Sequence, residues 1–215
     1  MDLRCLIAGI VAAVLFCVLA PASWAAGVGE FESAGDVGKV EHKGSAEFDA
    51  AKKEYKITGS GENMWKNEDA FQFVSKKMSG DFTFTMEVAF VGESAEKHRK
   101  ACAVVRQSLD ADAPYVDIAV HGDGMIGLQY RTEKGGSTAD TKSTVANPAT
   151  VKVEREGNVF TASIAKKGET TFQPIGTVTV ALTDPVYVGL AVCSHNAKTS
   201  ETAIFSNVEV KGKGK

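Results

Sequence analysis

The chain has 215 residues, is 44% hydrophobic and 24% charged, and carries a formal net charge of −3. That make-up fits one ordinary globular domain and excludes a disordered or fibrous chain. The slight acidic excess also excludes a nucleic-acid partner, because phosphate-tracking surfaces concentrate surplus Lys and Arg.

The N-terminus opens on MDLR, continues as an unbroken apolar run of 16 residues from Cys5 to Ala20, and passes into PASWAAG. Such a run is shorter than the roughly 20 residues a membrane-spanning helix needs. The segment therefore reads as a signal peptide over 1–25, with the small residues Ser23 and Ala25 ahead of a cut at Ala26. Uncleaved, it is a membrane anchor, the only membrane contact the sequence suggests. The expected location is secreted or periplasmic. A single β-sandwich domain is expected over 26–211 and a flexible basic tail over 212–215. Cleavage leaves Cys102 and Cys193, each in an apolar run; export permits a disulfide there, and the spacing leaves bridged and free thiols both open.

Ser45–Tyr55 (SAEFDAAKKEY) shows no 3.6-residue apolar period and predicts two short strands around an Asp49-Ala50-Ala51 turn. Gly59-Ser60-Gly61 marks a turn before a strand over Ala70–Met78. Phe82, Phe84, Met86, Val88 and Phe90 then alternate with Thr83, Thr85 and Glu87, the period-2 pattern of a half-buried strand. Similar patterns cover Lys100–Ser108, Tyr115–His121, Met125–Arg131, Thr150–Glu156, Val159–Lys166, Val186–His195 and Thr202–Val210, with glycine-bearing turns between several of them. This spacing predicts an all-β, antiparallel sandwich or barrel.

Catalytic and metal motifs fail on their mechanics. Gly122-Asp123-Gly124-Met125-Ile126-Gly127 matches G-x-G-x-x-G, but a strand pattern follows where a pyrophosphate site needs a helix N-terminus. His42, His98, His121 and His195 are scattered, without metal-ligand spacing. Asp110-x-Asp112 is a candidate pair of oxygen donors for Ca²⁺, the only cofactor the sequence suggests. No G-x-S-x-G elbow occurs, and Glu47-Phe48-Asp49-Ala50-Ala51-Lys52 starts like the Glu-x-Asp-x-x-Glu signature of β-sandwich glucanases but ends on lysine. No catalytic residue is assigned. A polysaccharide-active enzyme remains an alternative; it would need a carboxylate pair converging on one face, such as Asp117 with Glu87 or Glu154.

The densest polar stretch is RQSLDADAPYVDIAVHGDGMIGLQYR, Arg106 to Arg131. Pairing Tyr115–His121 with Met125–Arg131 across the Gly-Asp-Gly loop sets Asp117 opposite Gln129 and Tyr115 opposite Arg131. One sheet face then carries Tyr115, Asp117, His121, Gln129 and Arg131, and the other Val116, Ile118, Val120, Ile126, Leu128 and Tyr130. Arg106 is expected beside Asp117 from the preceding strand. Such a face suits sugars, whose hydroxyls take paired donors and acceptors beside an aromatic surface; a plain cross-strand ion pair is the simpler reading of the same residues.

GDVGKVEHKGSAEFDAAKKEYKITGSGENMW, GDFTFTMEVAFVG, the Lys97–Arg131 segment and VYVGLAVCSHNAKTSETAIFSNVEV resemble a bacterial family of exported concanavalin A-like, laminin-G-like jelly-roll domains of unknown function, often named as Tol-related (TolB- or TolR-like) transport proteins. The resemblance covers roughly Gly35 to Val210 and implies a jelly-roll β-sandwich. It also places Trp65, after the Gly-rich GSGENMW turn, at the rim of the concave face. The resulting expectation is an exported, non-catalytic binding module for a glycan or another cell-envelope polymer, using Trp65, Arg106, Tyr115, Asp117, His121, Gln129 and Arg131. An envelope structural protein partnered with Tol-type components is the further alternative.

Overall fold

The computed structural model describes residues 25–146 and 149–214; apart from Ala25, the expected signal peptide lies outside the described residues. In chain order the strands are β1 (Ala25–Val28), β2 (Phe31–Val37), β3 (Ser45–Asp49), β4 (Glu54–Gly61), β5 (Met64–Trp65), β6 (Glu68–Asp69), β7 (Phe71–Met78), β8 (Phe82–Phe90), β9 (Lys100–Arg106), β10 (Tyr115–His121), β11 (Ile126–Arg131), β12 (Ala139–Lys142), β13 (Ala149–Glu156), β14 (Val159–Lys166), β15 (Gln173–Thr179), β16 (Val186–Cys193) and β17 (Asn196–Gly212). One sheet has the order β1-β2-β7-β16-β9-β10-β11-β12 and the other β15-β14-β13-β8-β17-β4-β3, while β5 and β6 form a separate hairpin. No helix occurs among the described residues. The architecture is the expected all-β, antiparallel jelly-roll sandwich.

Side-chain alternation fills the space between the sheets. Phe82, Phe84 and Met86 of β8, Val151 and Val153 of β13, and Phe205 of β17 form one cluster with Val116, Ile118 and Val120 of β10 and Ile126 and Leu128 of β11. Each fully buried side chain of this size stabilises the fold by roughly 1.5–3 kcal/mol. The β3–β4 turn follows the sequence reading: Asp49 Oδ1 accepts from the backbone N–H of Ala51 at 3.0 Å and of Lys52 at 3.1 Å, the Asx arrangement that lets aspartate open a turn.

Every residue of β9 and of β10 is buried. A strand with one wet face alternates instead. The cause is a second apolar layer, in which Val37, Met64, Phe71, Phe73, Cys102, Val104, Ala119, Ala191 and Cys193 cluster on the face of the eight-stranded sheet turned away from the sandwich core. The segment from Glu62 to Ala70, carrying the β5–β6 hairpin, roofs that layer. Gly61 makes the fold-back possible: its φ is 131°, and a Cβ there would run into the Ala70 carbonyl. Ala70 N–H then donates to Asn63 O at 2.8 Å and closes the excursion.

Candidate ligand-binding cleft

The β9–β12 registers arrange the outward face in rows. Arg131, Tyr115 and Arg106 make one row, Asp140, Gln129 and Asp117 the next, and His121 sits opposite Lys100 in a third. The expected β10–β11 register is observed. Arg106, however, lies opposite Tyr115 and not beside Asp117, because Gln107 N–H bonds Pro114 O and shortens the pairing by two residues.

Three of the seven expected site residues are sealed beneath the hairpin roof. Arg106, Tyr115 and Arg131 are fully buried. Arg131 donates from Nη1 to Asp69 Oδ2 at 2.9 Å and from Nη2 to Asp69 Oδ1 at 2.8 Å, a bidentate pair. Arg106 Nη1 approaches Asp69 Oδ2 at 3.4 Å, and its Nε donates to Ser108 O at 2.7 Å. The Arg106 guanidinium lies over the Phe71 ring and that of Arg131 over Tyr115. Tyr115 Oη shares a hydrogen bond with Thr138 Oγ1 at 3.2 Å. This triad pins β6 and the loops after β9 and β11 to the sheet. Asp69, its centre, was invisible in the sequence because β6 is only two residues long.

Asp117 is also fully buried, and neither of its carboxylate oxygens has a hydrogen-bond partner. Burial pushes its pKa well above the usual carboxylate range, against the pull of Lys100 and the two arginines, which favours the protonated form. Glu87 and Glu154 alternate with core residues on β8 and β13, which turns them to the far side of the seven-stranded sheet. There Glu87 accepts from Thr150 Oγ1 at 3.0 Å, and Glu154 pairs with Lys152 at 2.8 Å. The sandwich core separates both from Asp117, so neither forms a carboxylate pair with it.

Trp65, His121 and Gln129 line an open cleft of about 380 Å³ beside the roof. Its floor and far wall come from β11 and β12, including Asp140 and Lys142, and its near wall from Asn63, Trp65 and Lys100. Asn63 organises that wall: its Oδ1 accepts from Lys100 Nζ at 2.7 Å, and its Nδ2 faces His195 Nε2 at 3.0 Å. His195 Nε2 is therefore the acceptor, and its Nδ1–H points at Glu96 Oε1, 3.4 Å away. His121 Nδ1 donates to Met125 O at 3.2 Å, leaving Nε2 with a lone pair. Burial first, then Lys100, lowers the His121 pKa to about 4, so this ring is a neutral acceptor at physiological pH. Among the described residues the Gln129 Oε1 is a buried acceptor without a hydrogen-bond partner.

Histidines that look scattered in the sequence gather here. The His98 ring lies 6.2 Å from His121 and 5.4 Å from His195. Among the described residues no group of ligating side chains has metal-holding geometry. The Asp110 and Asp112 carboxylates, read as possible Ca²⁺ donors, both face the Lys134 ammonium, at 2.6 and 3.0 Å. Cys102 and Cys193 are free, buried thiols.

No known family model matches the chain, and no curated protein matches it. Solved structures do. A functionally unknown protein from Saccharomyces cerevisiae superposes with a TM-score of 0.64 at 16% identity, over 84% of this chain and 97% of that one. A mutant of the GH43 protein BlXynB from Bacillus licheniformis gives 0.55 at 12% identity, over 75% of this chain and 33% of that one. Alginate lyase A1-II′, of polysaccharide lyase family 7, gives 0.50 at 10% identity, over 79% and 84%. The likeness is one of fold. It establishes the jelly roll and leaves function to the residues of the cleft.

Proposed function

We propose that the protein is an exported, non-catalytic module that binds carbohydrate, either a glycan or another cell-envelope polymer, through the cleft walled by Trp65 and floored by Gln129. The observation that carries this reading is that the cleft holds polar groups left idle by the fold, beside an aromatic ring. Gln129 and His121 Nε2 offer donors and an acceptor without protein partners, as a sugar's hydroxyls require, and Trp65 supplies an apolar platform for a sugar ring. Compared with the sequence reading, the site shifts along the sheet face, keeping Trp65, His121 and Gln129 and gaining Asn63, Lys100, Asp140 and Lys142. Export rests on the apolar Cys5–Ala20 run and the small residues after it.

The test is binding of the mature protein to a polysaccharide panel by affinity electrophoresis, alongside Trp65→Ala and Gln129→Ala. Each substitution is expected to weaken binding about tenfold or more, equivalent to ~1.4 kcal/mol. Unchanged binding in both variants, or none to any polysaccharide, rejects the cleft as a sugar site. New reducing ends or unsaturated products would replace the binding reading with an enzymatic one.

A further inference from the structure

A second open cleft, of about 470 Å³, lies against the same roof and is lined by Lys39, Glu62, Lys66 and Glu68. It shares two residues with the first cleft, Asn63 and Trp65. Trp65 is thus the ridge shared by two open troughs that both carry charged side chains, and its own side chain is only partly buried. A site for a single terminal sugar needs one such trough.

The ridge is also rigid. Trp65 pairs with Glu68 in the β5–β6 hairpin. The carbonyl of the next residue, Lys66, accepts from Arg131 Nη2 at 3.1 Å, from Thr138 Oγ1 at 3.0 Å and from Thr138 N–H at 3.0 Å. Four residues after Trp65, the Asp69 carboxylate is held in the arginine triad. With Lys100 Nζ donating to Met64 O at 3.1 Å on the other side, the indole stands on backbone fixed before and after it, the pre-organisation that makes an aromatic platform effective. Charge narrows the ligand further. In the second cleft Lys39 and Lys66 are balanced by Glu62 and Glu68, and in the first Asp140 and the nearby Glu96 offset Lys142 and Lys100. A polyanion binder shows a surplus of one sign.

We infer that the two clefts are subsites of one groove, which holds a linear, uncharged glycan crossing the Trp65 ridge with sugar units on either side. This inference rests on the proposed carbohydrate binding and names its ligand class. Two linked contacts gain from effective concentration, so affinity should climb with chain length until both troughs are filled and then level off.

The probes are xylose and glucose with their β-1,4-linked oligomers up to the hexasaccharide, and alginate oligomers of matching lengths, all measured by titration calorimetry on the mature protein. Gly127→Val adds bulk between the cleft residues Gln129 and Lys142. Gly127 shares the outward face of Gln129, and a Cβ there meets nothing nearer than Thr141 O at 3.7 Å, so the fold accommodates the change. Lys66→Ala with Glu68→Ala strips the second cleft while leaving the Lys66 carbonyl in place. Thermal melting checks that each variant is folded. The expected result is at least a tenfold rise in affinity from monosaccharide to the longest neutral oligomer, lost in either variant. Equal affinity for short and long sugars, a length effect untouched by the Lys66/Glu68 change, or a preference for alginate oligomers overturns the groove but leaves sugar binding standing. No binding by any probe overturns both.

Discussion

Arg131 grips both carboxylate oxygens of Asp69, at 2.9 and 2.8 Å, in a site where neither side chain is reached by solvent. Among the described residues the aspartate is the carboxylate that pairs directly with both buried guanidiniums, and removing its charge breaks both ion pairs. Asp69→Asn is expected to destabilise the protein by about 3–5 kcal/mol, read from urea unfolding midpoints. A loss below about 1 kcal/mol would show that the triad does not hold the roof.

Asp117 answers to pH in the opposite sense from a paired carboxylate. Its folded pKa lies well above the unfolded value of 3.8, so the folded chain binds the extra proton and stability falls as pH rises from 3.8 toward the folded pKa. Asp117→Asn keeps the shape and abolishes the titration. The variant is expected to gain on the order of 1 kcal/mol at neutral pH and to lose that part of the pH slope, both measurable by thermal melting across pH. It should bind polysaccharide like the parent, because Asp117 is fully buried and does not line the cleft.

His121 contributes on the acid side. Its folded pKa of about 4 lies below the ordinary 6.5, so the unfolded chain takes the proton first. Stability from this group is complete above 6.5 and is lost as pH falls toward 4, by at most on the order of 3 kcal/mol. His121→Asn should flatten that limb of the melting-temperature profile. An unchanged limb would place the acid sensitivity elsewhere.

Burial raises the Cys193 pKa to about 11 and pushes the Cys102 thiol up as well. Neither thiol should react with a disulfide reagent such as DTNB in the native protein, and both should react at once in urea. Reaction of either in the folded state would mean that the second apolar layer opens.

The parts of this molecule legible in its sequence are those governed by period-2 alternation. The β10–β11 register follows from its alternation and from a turn in which His121 N–H meets Met125 O at 2.8 Å and Gly124 takes a positive φ. β5, β6 and the exposed edge strand β12 carry only two to four residues and escape notice, and the seven-residue β2 and β15 escape it too, because FESAGDV and QPIGTVT lack a regular buried-exposed alternation. Missing the hairpin hid the roof, and with it the burial of Arg106, Tyr115 and Arg131. Lys100 and His195 were equally hidden, since each sits at the margin of an apolar run and is brought to Asn63 only by the chain's return from Gly61.

The hairpin tip is tied down through a main-chain oxygen, that of Lys66, and not through the side chain of that residue. Position and chemistry are thereby uncoupled. The side chains at 66 and 68 can be exchanged during evolution without loosening the indole beside them, provided that position 66 keeps a residue that tolerates its φ of 55° and Asn67 keeps its bond to Gly135 O. Ligand preference in this protein can drift while the scaffold that presents Trp65 stays unchanged.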